Sequence, residues 1–192
     1  MNLNLCLIFG AYFLGCIPFG LLIARWVSGV DIRTEGSGNI GASNVSRVCG
    51  RSWGRFTLVL DAAKGGVPCA FALCSSRPEI AAPMGLAAVI GHCWPVFMRF
   101  KGGKGVATSA GVMGAVAPWA ALAAVLSWLV TYRLRHQTSL ASLVACGVLL
   151  GGLLFFEPSR MTLGVAVVAI VFVRHRENIQ RLLSGKERTS SL

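Results

Sequence analysis

Long apolar runs, separated by short polar segments, recur along almost the whole chain of 192 residues. They cover residues 3–27, 56–74, 80–97, 106–132, 139–156 and 162–173. A helix needs about 20 apolar residues to cross the hydrocarbon core of a bilayer, and most of these runs approach that length. The pattern therefore predicts an all-α polytopic membrane protein in which residues 1–192 form a single integral-membrane domain.

The run at 106–132 has two interpretations. As one helix it gives six spans and puts Arg133 on the opposite side of the membrane from the basic segment 99–104. If Pro118 divides the run into two shorter spans, there are seven spans and these cations share one side. Cytoplasmic loops carry the excess of Lys and Arg, which favours the second arrangement. We therefore predict seven transmembrane helices, with the N-terminus outside and the C-terminus in the cytoplasm.

Composition agrees with this picture. The chain is 55% hydrophobic and 13% charged, whereas about a quarter of the residues in soluble domains are charged. Its 18 Lys and Arg residues against 7 Asp and Glu residues give a net charge of +11. These cations lie between the apolar runs, as the positive-inside rule predicts, so they give no reason to expect a nucleic acid. The same cations could also bind an anionic substrate. The seven cysteines include no C-x-x-C pair, and neither disulfides nor a metal site is expected.

The segment TEGSGNIGASN at 34–44 contains a literal G-x-G-x-x-G, and Asp61 follows twenty residues after Gly41. A dinucleotide-binding loop requires a preceding strand within a βαβ unit. Here the preceding element is a predicted transmembrane helix, so we reject a nucleotide site. The glycines still let backbone N–H groups approach an anion closely. The alternative is a polar turn with Ser43 or Asn44 as the N-cap of a helix. The candidate anion-binding residues are Ser37, Gly38, Asn39, Asn44 and Arg47.

A second glycine-rich segment, RFKGGKG at 99–105, lies directly before an apolar run. It lacks the spacing and the strand of a Walker A loop. We expect it to form the cytoplasmic N-terminus of a helix, where free N–H groups and the helix dipole attract phosphate. An ordinary basic loop is the alternative, but such a loop does not require three glycines in four residues. The candidate phosphate-binding residues are Gly102, Gly103, Lys104 and Gly105.

Ionisable residues also occur within or beside the predicted spans. Asp61 and Lys64 lie three residues apart on one helix face. Such groups are costly in a membrane and face the protein interior, either as a structural pair or with a direct substrate role. His175 and Asn178 share the same spacing, and a histidine there could act as an acid or base or be merely structural. Ser142 could donate a hydroxyl or pack between helices.

Five motifs together resemble one known family. They are GSGNIGASNVSR at 36–47, DAAKG at 61–65, GHCWPVFMRFKGGKGVAT at 91–108, SLAS at 139–142 and HRENIQRLLSGKE at 175–187. Their order and nearly full coverage of the chain are similar to the bacterial acyl-phosphate:glycerol-3-phosphate acyltransferases, the PlsY family. The resemblance implies that the domain moves a fatty acyl group from acyl phosphate to the 1-position of sn-glycerol 3-phosphate, giving lysophosphatidic acid and phosphate.

The resemblance also implies seven membrane helices in the bacterial inner membrane, an active site facing the cytoplasm, no cofactor, and no direct use of CoA or acyl-carrier protein. The residues that it implies for activity are Ser37, Arg47, His175 and Asn178. Those that it implies for substrate binding are Gly102, Gly103, Lys104, Gly105 and Ser142. Glu177 matches a glutamate that supports the structural integrity of the family's enzymes. Asp61 and Lys64 are expected to support the site.

The chemistry suits two phosphate-bearing substrates, because acyl phosphate is a mixed anhydride with a good leaving group. We expect direct attack by the 1-hydroxyl, promoted by proximity and by cations that stabilise developing charge. The proton could pass to His175 or to a substrate phosphate oxygen. The alternative is a phosphate or organophosphate transporter that uses the same loops. Transporters typically show paired repeats with sites at the midplane, and no clear repeat is present.

Overall fold

A computed structural model of the chain describes residues 2–189, and within that range the regular structure is helical, with no strand. Its α-helices are α1 (Leu3–Gly15), α2 (Phe19–Ser28), α3 (Ala42–Cys49), α4 (Arg51–Cys74), α5 (Ala81–Cys93), α6 (Val106–Val116), α7 (Pro118–Arg135), α8 (Thr138–Phe156), α9 (Met161–Arg174) and α10 (Arg176–Leu183). Short 3₁₀ turns lie at Pro78–Ile80, Val96–Met98 and Pro158–Arg160.

Four helical segments within residues 2–189 are long and apolar enough to cross a membrane: Leu3–Ser28, Arg51–Cys74, Pro78–Met98 and Thr138–Phe156. A fifth is reached if Pro158–Arg174 and Arg176–Leu183, which meet at a bend of 64°, count as one span. Val106–Val116 is a shorter apolar helix. The predicted class, an all-helical membrane protein, is confirmed. The count of seven spans and the orientation of the termini stay predictions.

Prolines divide two of the apolar runs. The predicted break at Pro118 is confirmed, since α6 ends at Val116 and Pro118 begins α7. Proline lacks an N–H group and favours the first position of a helix. The carboxylate of Glu157, just beyond α8, accepts hydrogen bonds of 3.0 and 3.2 Å from the N–H groups of Trp119 and Ala120. A carboxylate there accepts hydrogen bonds from first-turn N–H groups that have no partner within the helix, and its negative charge interacts favourably with the helix dipole. The run at 3–27 is likewise interrupted, because α1 ends before Pro18 and α2 begins after it.

Glycines allow the helices around the site to pack with their backbones in close contact. A Cβ on Gly65 of α4 would lie 2.2 Å from the carbonyl oxygen of Thr108 in α6, and one on Gly111 would lie 1.9 Å from that of Ala62. Small residues at helix crossings permit such approaches in membrane proteins. The close packing of α4 against α6 fixes the position of the glycine-rich segment that directly precedes α6.

A separate apolar cluster supports the first glycine-rich segment. Leu21 and Ile23 of α2 pack with Ile32, Ile40 and Val45, all of which are buried. Ile32 and Ile40 therefore anchor both ends of the polar stretch between them. The exposed residues 33–38 form a loop on a rigid apolar base.

Candidate functional site

Segments that are distant in sequence line one cleft of about 460 Å³. They are residues 37–40, residues 100–102 with Lys104, and residues 173–178 without His175, together with Arg33 and Trp94. The lining contains one carboxylate, from Glu177, and five cationic side chains, which belong to Arg33, Lys101, Lys104, Arg174 and Arg176. A cleft with this excess of positive charge attracts anions.

Asn44 holds the first glycine-rich loop in shape. Its side-chain oxygen accepts a 2.8 Å hydrogen bond from the N–H of Ser37, and its amide donates to the carbonyls of Ile32 and Glu35 at 3.1 and 2.9 Å. The residue is only 1% exposed and does not line the cleft. Its amide is thus occupied by the loop itself, and the structure places Asn44 as a support for the predicted phosphate site.

The glycines of this loop supply unusual backbone angles. Gly36 and Gly38 have φ values of +58° and +69°, in the left-handed region that favours glycine. Asn39 accepts a 2.8 Å hydrogen bond from the N–H of Gly41, which closes a local turn. Gly41 is the N-cap of α3, so the alternative N-cap role of Ser43 or Asn44 is wrong.

The second glycine-rich loop uses its N–H groups differently from our prediction. The N–H of Gly102 donates to the carbonyl of Cys93 at 3.2 Å, and that of Gly103 donates to the carbonyl of His92 at 3.0 Å. These two N–H groups are therefore not the free phosphate ligands that the helix N-terminus implied. Helix α6 does begin directly after Gly105, as predicted, and Gly105 has a φ of +83°.

Arg174 holds the same loop from the opposite side. Its guanidinium donates to the carbonyls of Gly103 and Gly102 at 2.9 and 2.8 Å, and it lies 5.7 Å from the ring centre of Trp94. A planar guanidinium can donate two parallel hydrogen bonds and stack on an aromatic ring at once. Gly102 and Gly103 are thus each held at both their N–H and C=O groups, which constrains the neighbouring cleft residue Lys104.

Lys104 is the half-buried cation of the cleft. Burial lowers its pKa to about 8, with the nearby Arg181 and Arg174 charges acting in the same direction and Glu187 opposing them. The ammonium group is therefore mostly charged at neutral pH, but it loses its charge when the pH rises only slightly above neutrality. A bound phosphate would stabilise the charged form, because an opposite charge raises the pKa of a lysine.

His175 lies at the bend between α9 and α10, where it is 2% exposed. Burial, reinforced by the charge of Lys104, lowers its pKa to about 4, so the ring is neutral at physiological pH. Its Nδ1 lies 2.8 Å from the carbonyl oxygen of Val171. A carbonyl only accepts, so Nδ1 carries the proton and Nε2 keeps its lone pair. His175 and Asn178 lie at adjacent turns as expected, although only Asn178 lines the cleft.

Glu187 is a site-supporting carboxylate that sequence reasoning missed. It accepts hydrogen bonds from Ser139 at 2.6 Å, Asn178 at 2.7 Å and Arg181 at 3.0 Å. Burial alone would raise the pKa of Glu187, but these three hydrogen bonds lower it overall. Glu177, which was expected to support the structure, is exposed at the cleft. Glu187 is the better match to a structural role.

The chain that follows Glu187 reaches the first glycine-rich loop. Arg188 donates to the carbonyl of Gly36 at 2.8 Å. Arg47 donates to the carbonyl of Thr189 at 3.1 Å and to Asn44 at 3.3 Å. Arg47 is exposed and does not line the cleft. Its role in activity therefore stays a prediction.

The structure brings together part of the predicted site. The predicted residues that line the cleft are Ser37, Gly38, Asn39, Gly102, Lys104, Glu177 and Asn178. Those that do not are Asn44, Arg47, Asp61, Lys64, Gly103, Gly105, Ser142 and His175. Ser142 is buried, with its hydroxyl donating to the carbonyl of Thr138 and accepting from Trp128.

The lining residues that the prediction missed are Arg33, Ile40, Trp94, Phe100, Lys101, Val173, Arg174 and Arg176. Four of these residues are cations, namely Arg33, Lys101, Arg174 and Arg176. Their proximity to the predicted motifs could have identified them, since each lies within a few residues of one. The sequence did not distinguish them from the basic residues that membrane topology requires.

Comparison with known proteins finds similar sequences along nearly the whole chain. The sequence profile described as glycerol-3-phosphate acyltransferase matches residues 5–185. A glycerol-3-phosphate acyltransferase of Geotalea daltonii is 48% identical over 97% of both chains. Another, from Aquifex aeolicus, is 42% identical over 95% of this chain and 97% of the relative.

Two solved structures also match. One is the crystal structure of PlsY, an integral membrane glycerol 3-phosphate acyltransferase, in its glycerol 3-phosphate form. It matches with a TM-score of 0.92 and 41% sequence identity, over 98% of this chain and 96% of that one. Its lysophosphatidic acid form has a TM-score of 0.90 at the same identity, with coverage of 98% and 95%.

Proposed function

The chain belongs to the glycerol-3-phosphate acyltransferase family, and from this premise we propose that it transfers a fatty acyl group from acyl phosphate to the 1-position of glycerol 3-phosphate. The products are lysophosphatidic acid and phosphate. The observation that carries the proposal is the cationic cleft in which both glycine-rich segments meet residues 173–178. Both substrates carry phosphate, and a cleft with five cations and one carboxylate suits them.

The reaction is a direct acyl transfer. The 1-hydroxyl oxygen of glycerol 3-phosphate attacks the acyl carbonyl carbon, a new ester C–O bond forms, and the C–O bond to phosphate breaks. Inorganic phosphate leaves with the bonding electron pair. Because acyl phosphate is already activated, holding the hydroxyl against the carbonyl supplies much of the acceleration. No CoA, acyl-carrier protein or cofactor takes part directly.

Residues of the cleft, together with His175 beside it, divide this work between binding and proton transfer. Lys104 and the neighbouring Arg174 provide charge for substrate phosphate, and Ser37 and Asn178 provide neutral donors. The hydroxyl proton goes either to Nε2 of His175 or to a phosphate oxygen of a substrate. The neutral ring of His175, with its proton on Nδ1, is suited to accept it. Arg47 and Ser142 are assigned to the substrate site by family resemblance, and Gly38 and Asn39 are assigned to it as glycine-rich loop residues that line the cleft.

We further infer that the protein has seven spans in the bacterial inner membrane, with the N-terminus outside and both the C-terminus and the cleft on the cytoplasmic side. The basic residues of the cleft and the basic segment 174–188 then share the cytoplasmic face. A charged, water-soluble acceptor reaches the cleft from that side, and the acyl donor and lipid product exchange with the bilayer.

An assay with purified protein tests the reaction. Labelled glycerol 3-phosphate and acyl phosphate are expected to give labelled lysophosphatidic acid, whereas acyl-CoA or acyl-acyl-carrier protein in place of acyl phosphate gives none. Product only from acyl-CoA would refute the donor assignment. Absence of product from every donor, with uptake of glycerol 3-phosphate into proteoliposomes, would favour the transporter alternative.

A further inference from the structure

A network of ionisable residues lies behind the second glycine-rich loop, outside the cleft. Nζ of Lys64 is 2.8 Å from Oδ1 of Asp61 and donates to the carbonyl of Ile17 at 2.8 Å. Nδ1 of His92 lies 3.6 Å from the same carboxylate oxygen. All three side chains are at most 5% exposed. Charged groups are expensive within a membrane protein and mark functional machinery more often than plain packing.

His92 is the member of this network that contacts the loop. Its carbonyl accepts the 3.0 Å hydrogen bond from Gly103, and a Cβ on Gly103 would lie 2.0 Å from its Nε2. The imidazole thus touches the backbone one residue before Lys104. Nothing bulkier than glycine fits at position 103 while this ring keeps its place.

We propose that His92 is a positioning residue for the acyl transfer: its imidazole packs between the buried Asp61–Lys64 pair and Gly103, and it sets the position of Gly103 and therefore of Lys104. The inference rests on the proposed function, because the readout is binding of glycerol 3-phosphate. His92 does not touch the cleft itself. It acts in the way that outer residues orient the ligands of a binding site.

The position of the loop results from two sets of contacts that face each other. On the buried side, the carbonyls of His92 and Cys93 accept from the N–H groups, and on the cleft side Arg174 donates to the carbonyls. Removing the imidazole leaves the backbone hydrogen bonds and those to Arg174 in place but takes away the side-chain contact with Gly103. We expect the loop to shift into the vacated space, which displaces the ammonium group of Lys104 from the substrate phosphate.

The first test compares His92→Asn with His136→Asn. His136 is an exposed histidine at a turn and serves as the matched control. We expect His92→Asn to raise KM for glycerol 3-phosphate about tenfold, the lower end of losses when outer-shell partners are removed. Since the lost binding is common to ground and transition states, kcat should change little. His136→Asn should match the parent protein.

A merely structural role for His92 predicts a different pattern, in which a smaller folded fraction lowers kcat and leaves KM unchanged. That result would overturn the proposal. An inactive parent protein would instead refute the proposed function, so the two failures are distinguishable.

The second test is a double-mutant cycle between positions 92 and 103. Gly103→Ala should bind poorly, because the nearest atoms to its methyl group all belong to the imidazole of His92. His92→Ala removes that ring, so the double variant His92→Ala/Gly103→Ala should bind glycerol 3-phosphate more tightly than Gly103→Ala alone. Additive losses in KM, with all variants folded by thermal melting, would refute the direct contact on which the proposal depends.

Discussion

The two glycine-rich segments of this protein look alike in sequence but need their glycines for different reasons. In the segment 34–44, Gly36 and Gly38 adopt positive φ angles that side chains disfavour. In the segment 99–105, Gly102 and Gly103 have ordinary angles, but a Cβ on either would collide with neighbouring atoms at 2.0–2.2 Å. The first loop therefore uses glycine chiefly for its conformational freedom, although a Cβ on Gly36 would also lie 2.3 Å from the side-chain oxygen of Asn44. The second loop uses glycine for its small size at Gly102 and Gly103 and for a positive φ at Gly105.

The supports of the two loops differ accordingly. The first loop is held largely from within, by the side chain of Asn44. The second is held from outside, by carbonyls at the end of α5 and by Arg174 at the end of α9. A polar loop can thus be shaped either by a buried residue of its own segment or by helices that pack around it. The three predictions below test this distinction.

The largest effect is expected for Gly102→Ala. Its Cβ would lie 2.2 Å from the carbonyl oxygen of His92 and 2.8 Å from that of Cys93, and backbone atoms of a packed helix end cannot move aside cheaply. We expect kcat/KM to fall about 100-fold, a loss typical of displacing a catalytic site by about 1 Å.

The control for this prediction is Gly29→Ala. Gly29 has a φ of +67°, but a Cβ added there would have no other atom within 4 Å, so only backbone strain opposes the substitution. That strain costs about 1 kcal/mol for a single residue in the left-handed region. Its activity should stay close to that of the parent protein. Equal losses at both positions would show that the close approach at Gly102 does not explain its effect.

An intermediate effect is expected for Asn44→Ala. The substitution removes an acceptor for the N–H of Ser37 and leaves the carbonyls of Ile32 and Glu35 without their donor. The orphaned carbonyl of Ile32 is buried and costs about 1–3 kcal/mol, so the thermal midpoint should fall and kcat/KM should drop by about tenfold.

Asn44→Asp separates the two halves of this support, because it keeps the acceptor and loses the donor. Because its second carboxylate oxygen would be buried against the carbonyl oxygens of Ile32 and Glu35, its thermal midpoint should fall at least as far as that of Asn44→Ala. An unchanged thermal midpoint for Asn44→Ala would contradict an internally supported loop.

The smallest effect is a pH dependence of substrate binding through Lys104. Burial lowers the pKa of its ammonium group to about 8, so the charge is present at neutral pH and is lost as the pH rises through that value. A hydrogen bond from a charged donor stabilises binding by about 1 kcal/mol more than one from a neutral donor. We therefore expect KM for glycerol 3-phosphate to rise about fivefold from a pH of about 7 to a pH of about 9.5. Lys104→Arg keeps its charge over this range and should lose the alkaline rise. A rise that persists in Lys104→Arg would assign the titration to another group.

Much of the fold could be predicted from local pattern. The apolar runs indicated the helices, and Pro118 marked the break between α6 and α7, because proline is favoured at the first position of a helix. The capping of α7 by Glu157 was not predictable, because Trp119 and Glu157 are 38 residues apart and meet only after α7 and α8 have packed.

The candidate site was predicted less completely. Ser37, Lys104 and Asn178 were recognised from their motifs and do line the cleft. Arg174 was missed, because a basic residue at a helix end has the same local pattern whether it obeys membrane topology or holds a loop. Glu187 was missed for a similar reason, since its three partners come from parts of the chain that only the fold brings together.

The sequence by itself determined that this protein is helical and that it lies in a membrane, and it located the two glycine-rich segments that line part of the cleft. These properties follow from hydrophobicity, helix length and residue size, which are local. Only the tertiary structure decided which backbone groups face the cleft and which form the hydrogen bonds that hold the loops in place. The N–H groups of Gly102 and Gly103 pair with the end of α5, because every buried backbone donor must find an acceptor and the nearest one comes from a packed neighbour.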